Sequence, residues 1–300
     1  AAPVIADIKP DIYVKGIDYK DDAGPGLAKE RAAVEAIGGR LVFTDTEKFS
    51  SSRLINGERF SPGVVQYLER AKAAGFRNDI FAAFEKADKL RVAFVGELII
   101  DEYRYVQGLG RASKELMLAT VETGVEAFEG GVCAAAGHAE WNTQWFTAGV
   151  GIKKTRYVDH DFNRKLFDVY SARAIELSPV SRAAFQYELI DTVTADFDVV
   201  IAMDFGHGLF GEVERHALTF AKFLAVNAQS NAGNYGYNLI TKYPVADFVC
   251  IDDPEARLAT GMQDDAIEIV IDRLAAAISC DRFLVTHGRH GSCHRDGRHF

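Results

Sequence analysis

From Leu90 onward, short apolar runs alternate with longer stretches of helical pattern, and this alternation limits the fold more than any other feature of the chain. The strand candidates are 91–95, 197–203, 222–226, 247–251 and 282–286, with helical patterns between several of them, as at 211–221 and 264–279. Strands joined through helices predict an α/β fold, a mainly parallel sheet with helices on both faces. Ligands of such sheets bind outside the carboxyl ends of the strands. Asp101, Asp204, Asn227, Asp252 and Thr286 all fall at or just after predicted strand ends, which marks that edge as the candidate site.

The stretch Arg91–Gly131 carries the most chemistry. Val92-Ala93-Phe94-Val95-Gly96 leads through Glu97 to Asp101, and Gly130-Gly131 later opens the small-residue run Val132-Cys133-Ala134-Ala135-Ala136. An acid past a strand accepts hydrogen bonds from sugar hydroxyls, and a Gly-Gly turn into a helix lets backbone N–H groups come close. The pattern predicts a site for a polyhydroxylated ligand. Asp101 reads either as the binder of those hydroxyls, with Arg111 in the following polar segment reaching a charged group, or as an exposed loop acid with a solvated arginine.

Three further segments could hold an anion. In Lys153-Lys154-Thr155-Arg156-Tyr157 the period of two puts Lys154 and Arg156 on one strand face, where they could hold a sugar phosphate or be solvated. Phe205-Gly206-His207-Gly208 follows a buried strand and Asp204, and reads either as a phosphate-approach loop or as a plain turn. Ser50-Ser51-Ser52-Arg53 offers hydroxyls and backbone N–H groups at a helix start, or a simple cap. His287, His290, His294, His299 and Cys293 of the tail invite a zinc ion, but they lack a strict ligand spacing and sit among hairpin glycines.

Composition narrows the partners. Thirty-four basic against 43 acidic residues give −9, with no basic stripe, which argues against nucleic acid. The four cysteines have no C-x-x-C spacing and read as buried free thiols of a reducing compartment. No signal peptide and no membrane-spanning apolar run is present, so the expected location is the cytoplasm. With no initiator Met and an end inside a predicted hairpin, the chain reads as a piece of a longer protein.

The 300 residues divide into three. Residues 1–57 form a short α/β unit: a strand at 11–14, a helix at 27–37 stopped by Gly38-Gly39, and a strand at 40–44. Residues 58–89 are helical, charged and connecting, and 90–300 form the larger domain.

The larger domain resembles the ribokinase-like (PfkB) carbohydrate kinases, especially the heptose-phosphate kinase type. The resemblance lies in Gly96, Asp101, Tyr103, Arg111, Ser113 and Glu115, in Gly130-Gly131, and in Lys154-x-Arg156. It continues in Asp204–Gly208, Val226–Asn231, Asp252-x-x-Glu255 and Thr286-x-Gly288-x-x-Gly291. Residues 1–57 resemble the C-terminal part of a cytidylyltransferase-like nucleotidyltransferase, on Lys9–Lys20, Gly38-Gly39 and Phe49–Ile55.

Together these resemblances imply a ribokinase-like domain preceded by a partial Rossmann-like nucleotidyltransferase unit, in a bifunctional enzyme that makes a nucleotide-activated sugar. They imply substrate binding by Asp101, Arg111, Gly130, Gly131, Lys154, Arg156 and Asp204, and a nucleotide near Asn227, Glu255, Thr286, Gly288 and Gly291. ATP and Mg²⁺ are the implied cofactors, with Glu255 acting on the ion indirectly, and Ser51, Ser52 and Arg53 would lie near the transferase triphosphate. A homodimer is open. The catalytic Asp, in a Gly-Ala-Gly-Asp motif, is expected beyond Phe300, and the transferase His-x-Gly-His before Ala1. Departures from the kinase pattern are Ala134 and His138 for asparagines, Glu97 for an Asp and Asp252 for an Asn. Those at 134 and 138 favour an alternative, a degenerate kinase fold that binds a sugar nucleotide without phosphoryl transfer. A dehydrogenase fits the strand–helix rhythm alone, but no G-x-G-x-x-G follows the first strand of either region.

Overall fold

The computed structural model describes residues 2–16, 25–44, 60, 62–111, 117–139, 142–149 and 151–300, with the Pro25 and Arg111 side chains excepted. The chain divides into two compact units, Ala1–Ile80 and Phe81–Phe300.

In the smaller unit, α1 (Ala2–Ile8) precedes β1 (Ile12–Lys15), α2 (Pro25–Ala36) and β2 (Arg40–Phe43). β1 and β2 pair in parallel, Ile12 opposite Arg40, and α2 forms the crossover between them. Ile5, Leu27 and Val34 are buried, and Gly38, at φ +75°, ends α2 where the sequence places the stop. Helix α3 (Pro62–Ala73) follows; α4 (Phe76–Ala87) runs across the division, and neither has a buried residue. No helix among the described residues is long and apolar enough to cross a membrane.

The larger unit is built on a seven-stranded sheet. Its strands are β3 (Arg91–Gly96), β6 (Asn142–Phe146), β9 (Val199–Asp204), β10 (Leu224–Ala228), β11 (Phe248–Asp252), β12 (Arg282–Thr286) and β13 (Ser292–Asp296). They lie in the order β13-β12-β11-β10-β9-β3-β6, and every neighbouring pair is parallel except the β12–β13 hairpin. Five of these seven are the strands expected from the apolar runs. One face packs Ala93, Val95, Val200, Ala202, Val226 and Val249 against α6 (Pro179–Thr194), α7 (Glu212–Leu218) and α9 (Ile267–Ala277), through Leu189, Leu218 and Leu274. On the other, Val92 and Phe94 meet Val132 and Ala136 of α5 (Val132–Gly137). Burial on both faces explains why β3 reads as a continuous apolar run.

A second, four-stranded sheet has the order β5-β4-β7-β8, with β4 (Leu98–Arg111), β5 (Leu118–Gly131), β7 (Gly151–Asp159) and β8 (Arg164–Tyr170). Asp101 stands half-buried on β4, which corrects the alternative of an exposed loop acid. Residues 98–111 form a long strand whose polar side chains find partners on both faces. On one face Glu102 accepts from Arg104 (2.7 Å), Lys153 (3.2 Å) and Thr155 (3.1 Å). On the other, Arg156 pairs with Asp101, and Tyr103 meets Phe128 edge-on at 6.0 Å. A strand that carries charge on both faces shows no apolar alternation.

Candidate functional site

The site lies at the carboxyl end of the seven-stranded sheet, under the second sheet. Ile99, Asp101, Gly131, Lys154, Arg156, Tyr170, Phe205, His207, Gln229 and Asn231 line a cavity of about 280 Å³. Asp101, Gly131, Lys154 and Arg156, each expected to bind substrate, therefore come together. Gly130 stands directly behind Asp101, where a Cβ would collide with the Asp101 carboxylate. Its role is to make room for the acid. Gly131, at φ 64° and ψ −133°, occupies backbone space that favours glycine, and it turns β5 into α5. A Cβ there would strike the Glu97 carbonyl, which accepts the Val132 N–H at 3.0 Å.

Both cations of the cavity have acidic partners. The Arg156 guanidinium bonds to Asp101 and lies over the Tyr103 ring at 5.1 Å. Lys154 pairs with Asp168 at 3.1 Å and lies 5.1 Å from the Tyr170 ring centre. Burial opposes the charge of each, yet the Asp101 bond holds Arg156 above its ordinary pKa, and bonds with Tyr170 and Asp168 do so for Lys154. These residues form a partly buried, charge-balanced floor.

The loop after β9 is held from beneath by Glu97, a residue whose role was not read from the sequence. Its side chain is fully buried and accepts backbone N–H bonds from Phe205 (2.5 Å), His207 (2.8 Å) and Leu209 (3.1 Å). Burial, then repulsion from Asp204, raises the Glu97 pKa to about 7 against the pull of those N–H groups. One sequence signal pointed here, an acid directly after an apolar strand. Gly206 (φ +77°) and Gly208 (φ +87°) give the loop its left-handed turns.

Asp204 is buried beneath this loop. It accepts from the Gly206 N–H (2.9 Å), the Asn238 amide (3.1 Å) and the Tyr243 hydroxyl (2.5 Å), and it pairs with Lys242 at 2.5 Å. Its place is that of a strut, with Phe205 and His207 reaching the cavity instead. Asn231, Asn234 and Asn238 clamp the same loop by donating to the Phe205 carbonyl (2.8 and 3.0 Å) and the Asp204 carbonyl (3.2 Å).

The residues expected near a nucleotide are spread along the strand ends. The Asn227 amide donates to the Cys250 carbonyl at 2.8 Å. Glu255 closes a capping box with Asp252 on α8 (Asp253–Thr260) and accepts the Ser230 N–H at 2.9 Å and the Asp252 N–H at 2.9 Å. Burial, the largest influence, raises its pKa. Thr286 ends β12, and Gly288 (φ +51°) and Gly291 (φ +91°) shape the turn into β13. Ser51, Ser52 and Arg53, and the Arg111 side chain, lie outside the described residues.

Among the described residues no group of three or more His, Cys, Asp or Glu could hold a metal ion. Both Glu255 oxygens are already engaged by backbone N–H groups. These residues do not fit a protein-held Mg²⁺; an ion carried by phosphate oxygens and water would need no such cluster.

No family model and no curated protein sequence matches the chain. Solved structures do. A protein described as Sa239 is 14% identical, with 69% of this chain and 76% of that chain covered and a TM-score of 0.50. Phosphofructokinase-2 from Escherichia coli in complex with fructose-6-phosphate is 8% identical over 69% of this chain and 77% of that one, also at 0.50. Ribokinase from Giardia lamblia is 14% identical over 69% and 77%, at 0.46. At such identities the likeness is one of fold: a ribokinase-like α/β architecture.

Proposed function

From that likeness of fold, we propose that the larger domain, residues 90–300, serves the phosphorylation of a sugar or sugar phosphate by ATP. The observation that carries this reading is Asp101, set into the cavity between the two sheets with Gly130 clearing space for its carboxylate and Lys154 and Arg156 beside it. Asp101 would accept hydroxyl protons and orient the ligand. The second sheet would cover the ligand and limit water, so positioning would supply much of the catalysis. Mg²⁺ would arrive on the phosphates of ATP and neutralise their charge.

The finer reading is a heptose-phosphate kinase joined to a nucleotidyltransferase, with residues 1–57 the end of the transferase and 58–89 a connector. Its support is the ordered motif blocks of both regions and the parallel β1–α2–β2 crossover. The alternative, binding without transfer, draws support from Ala134 and His138.

The test is ATP turnover by the protein over a panel of sugars and sugar phosphates, with Asp101→Asn alongside. One lost charge-assisted hydrogen bond is worth about 1.5–3 kcal/mol, so Asp101→Asn should weaken kcat/KM about 10- to 100-fold. Tight binding with no phosphoryl transfer would favour the alternative. Unchanged kinetics in Asp101→Asn would remove the basis of both.

A further inference from the structure

A second cavity, of about 440 Å³, adjoins the first and shares Tyr170 and His207 with it. Its remaining wall includes Asp168, Arg173, Ala232 and Gly233. The cations of the two compartments differ. Lys154 and Arg156 are each paired with a carboxylate, which offsets their charge toward an arriving anion. The Arg173 guanidinium is exposed and has no hydrogen bond or ion pair among the described residues.

The backbone that carries Arg173 is nonetheless fixed. Its carbonyl lies 3.2 Å from His207 Nδ1, and the Ile175 N–H donates to the His207 carbonyl at 2.6 Å. A carbonyl can only accept, so this bond puts the proton on Nδ1 and leaves Nε2 as an acceptor. Burial lowers the His207 pKa, which favours the neutral ring.

We propose that the second cavity is the anion compartment of the site: the phosphate of a sugar phosphate binds Arg173, across the His207–Tyr170 boundary from the hydroxyls at Asp101. This rests on the sugar-site reading above and reassigns the anion from the Lys154–Arg156 pair to Arg173. It makes phosphorylated sugars the preferred substrate class, because only a ligand with a charged tail uses both compartments.

The test is calorimetric titration of the protein, its Arg173→Ala, Arg173→Lys and Lys154→Ala variants, and Asp101→Asn. The probes are fructose 6-phosphate, sedoheptulose 7-phosphate, the two unphosphorylated sugars, inorganic phosphate and ATP. Arg173→Ala should weaken the sugar phosphates about 10- to 100-fold, by the loss of a charged hydrogen bond, and leave the unphosphorylated sugars unchanged. Arg173→Lys should recover part of that loss, and inorganic phosphate should compete with the sugar phosphates.

Equal sugar-phosphate affinity in Arg173→Ala would overturn the compartment, as would a phosphate preference lost in Lys154→Ala instead. An effect of Arg173→Ala on ATP alone, or no binding of any phosphorylated sugar, would do the same. Loss in Arg173→Ala with no effect of Asp101→Asn would keep the anion compartment and sink the sugar reading; the reverse pattern would keep only the sugar reading.

Discussion

Glu97 is a buried carboxyl whose ionisation the fold opposes. Its carboxyl moves from 4.5 to about 7 on burial beside Asp204. Between those values the folded protein keeps a proton that the unfolded chain has released, so stability falls as pH rises through this window. At about 1.4 kcal/mol per decade, the loss is about 3 kcal/mol, complete a little above pH 7 and absent below 4.5. Glu97→Gln removes this titration and keeps the shape. The amide cannot accept from the Phe205 N–H and from the His207 and Leu209 N–H groups together, so the variant starts lower by about 1–3 kcal/mol. The measurement is the urea midpoint from pH 4 to 8.5 for both proteins. Subtracting the two profiles cancels titrations common to both, and the difference should fall by about 3 kcal/mol between 4.5 and 7 in the transition of the larger unit. Parallel profiles would refute the argument, because they would mean that Glu97 titrates alike in the folded and unfolded protein.

Three other outcomes follow from the same geometry. Gly206→Ala puts a Cβ into the Asn234 amide at φ +77°; it should cost about 1–3 kcal/mol by thermal unfolding, and a neutral result would show that the Asn234 clamp yields. Arg182 donates to the buried Glu214 (2.9 Å) and to the Gly208 and Leu209 carbonyls (3.2 Å each), so Arg182→Ala should cost about 2–3 kcal/mol. A loss below the error of a urea titration would show that Gln186 alone satisfies Glu214. Glu255→Ala should lose about 1–2 kcal/mol with its capping box, equally with and without Mg²⁺; an effect seen only with Mg²⁺ would assign Glu255 to the ion instead.

Much of the main sheet is legible in the chain because β3 and β10 are buried almost throughout, and β9, β11 and β12 keep one face fully buried. Val92–Gly96 reads as an apolar run that leads into Glu97, and β9, β11 and β12 end on Asp204, Asp252 and Thr286 as expected. The period of two also brought Lys154 and Arg156 onto one face, and they line one cavity. The second sheet was not legible. Tyr103 and Phe128 are its aromatic markers, but Glu102, Arg104, Glu126 and Glu129 interrupt them on strands that partner charge with charge.

The sequence by itself determined the α/β rhythm, the edge on which polar residues gather, and the presence of an acid, a glycine pair and two cations in the candidate site. These depend on local pattern: what a strand buries and where a helix can stop. Only the tertiary structure decided which acid does what. Asp101 faces a cavity because Gly130 leaves it space, whereas Asp204 and Glu97 are turned inward to hold a loop. A carboxylate's role depends on how many donors converge on it, and those donors come from positions as far apart in the chain as Phe205, Asn238 and Tyr243.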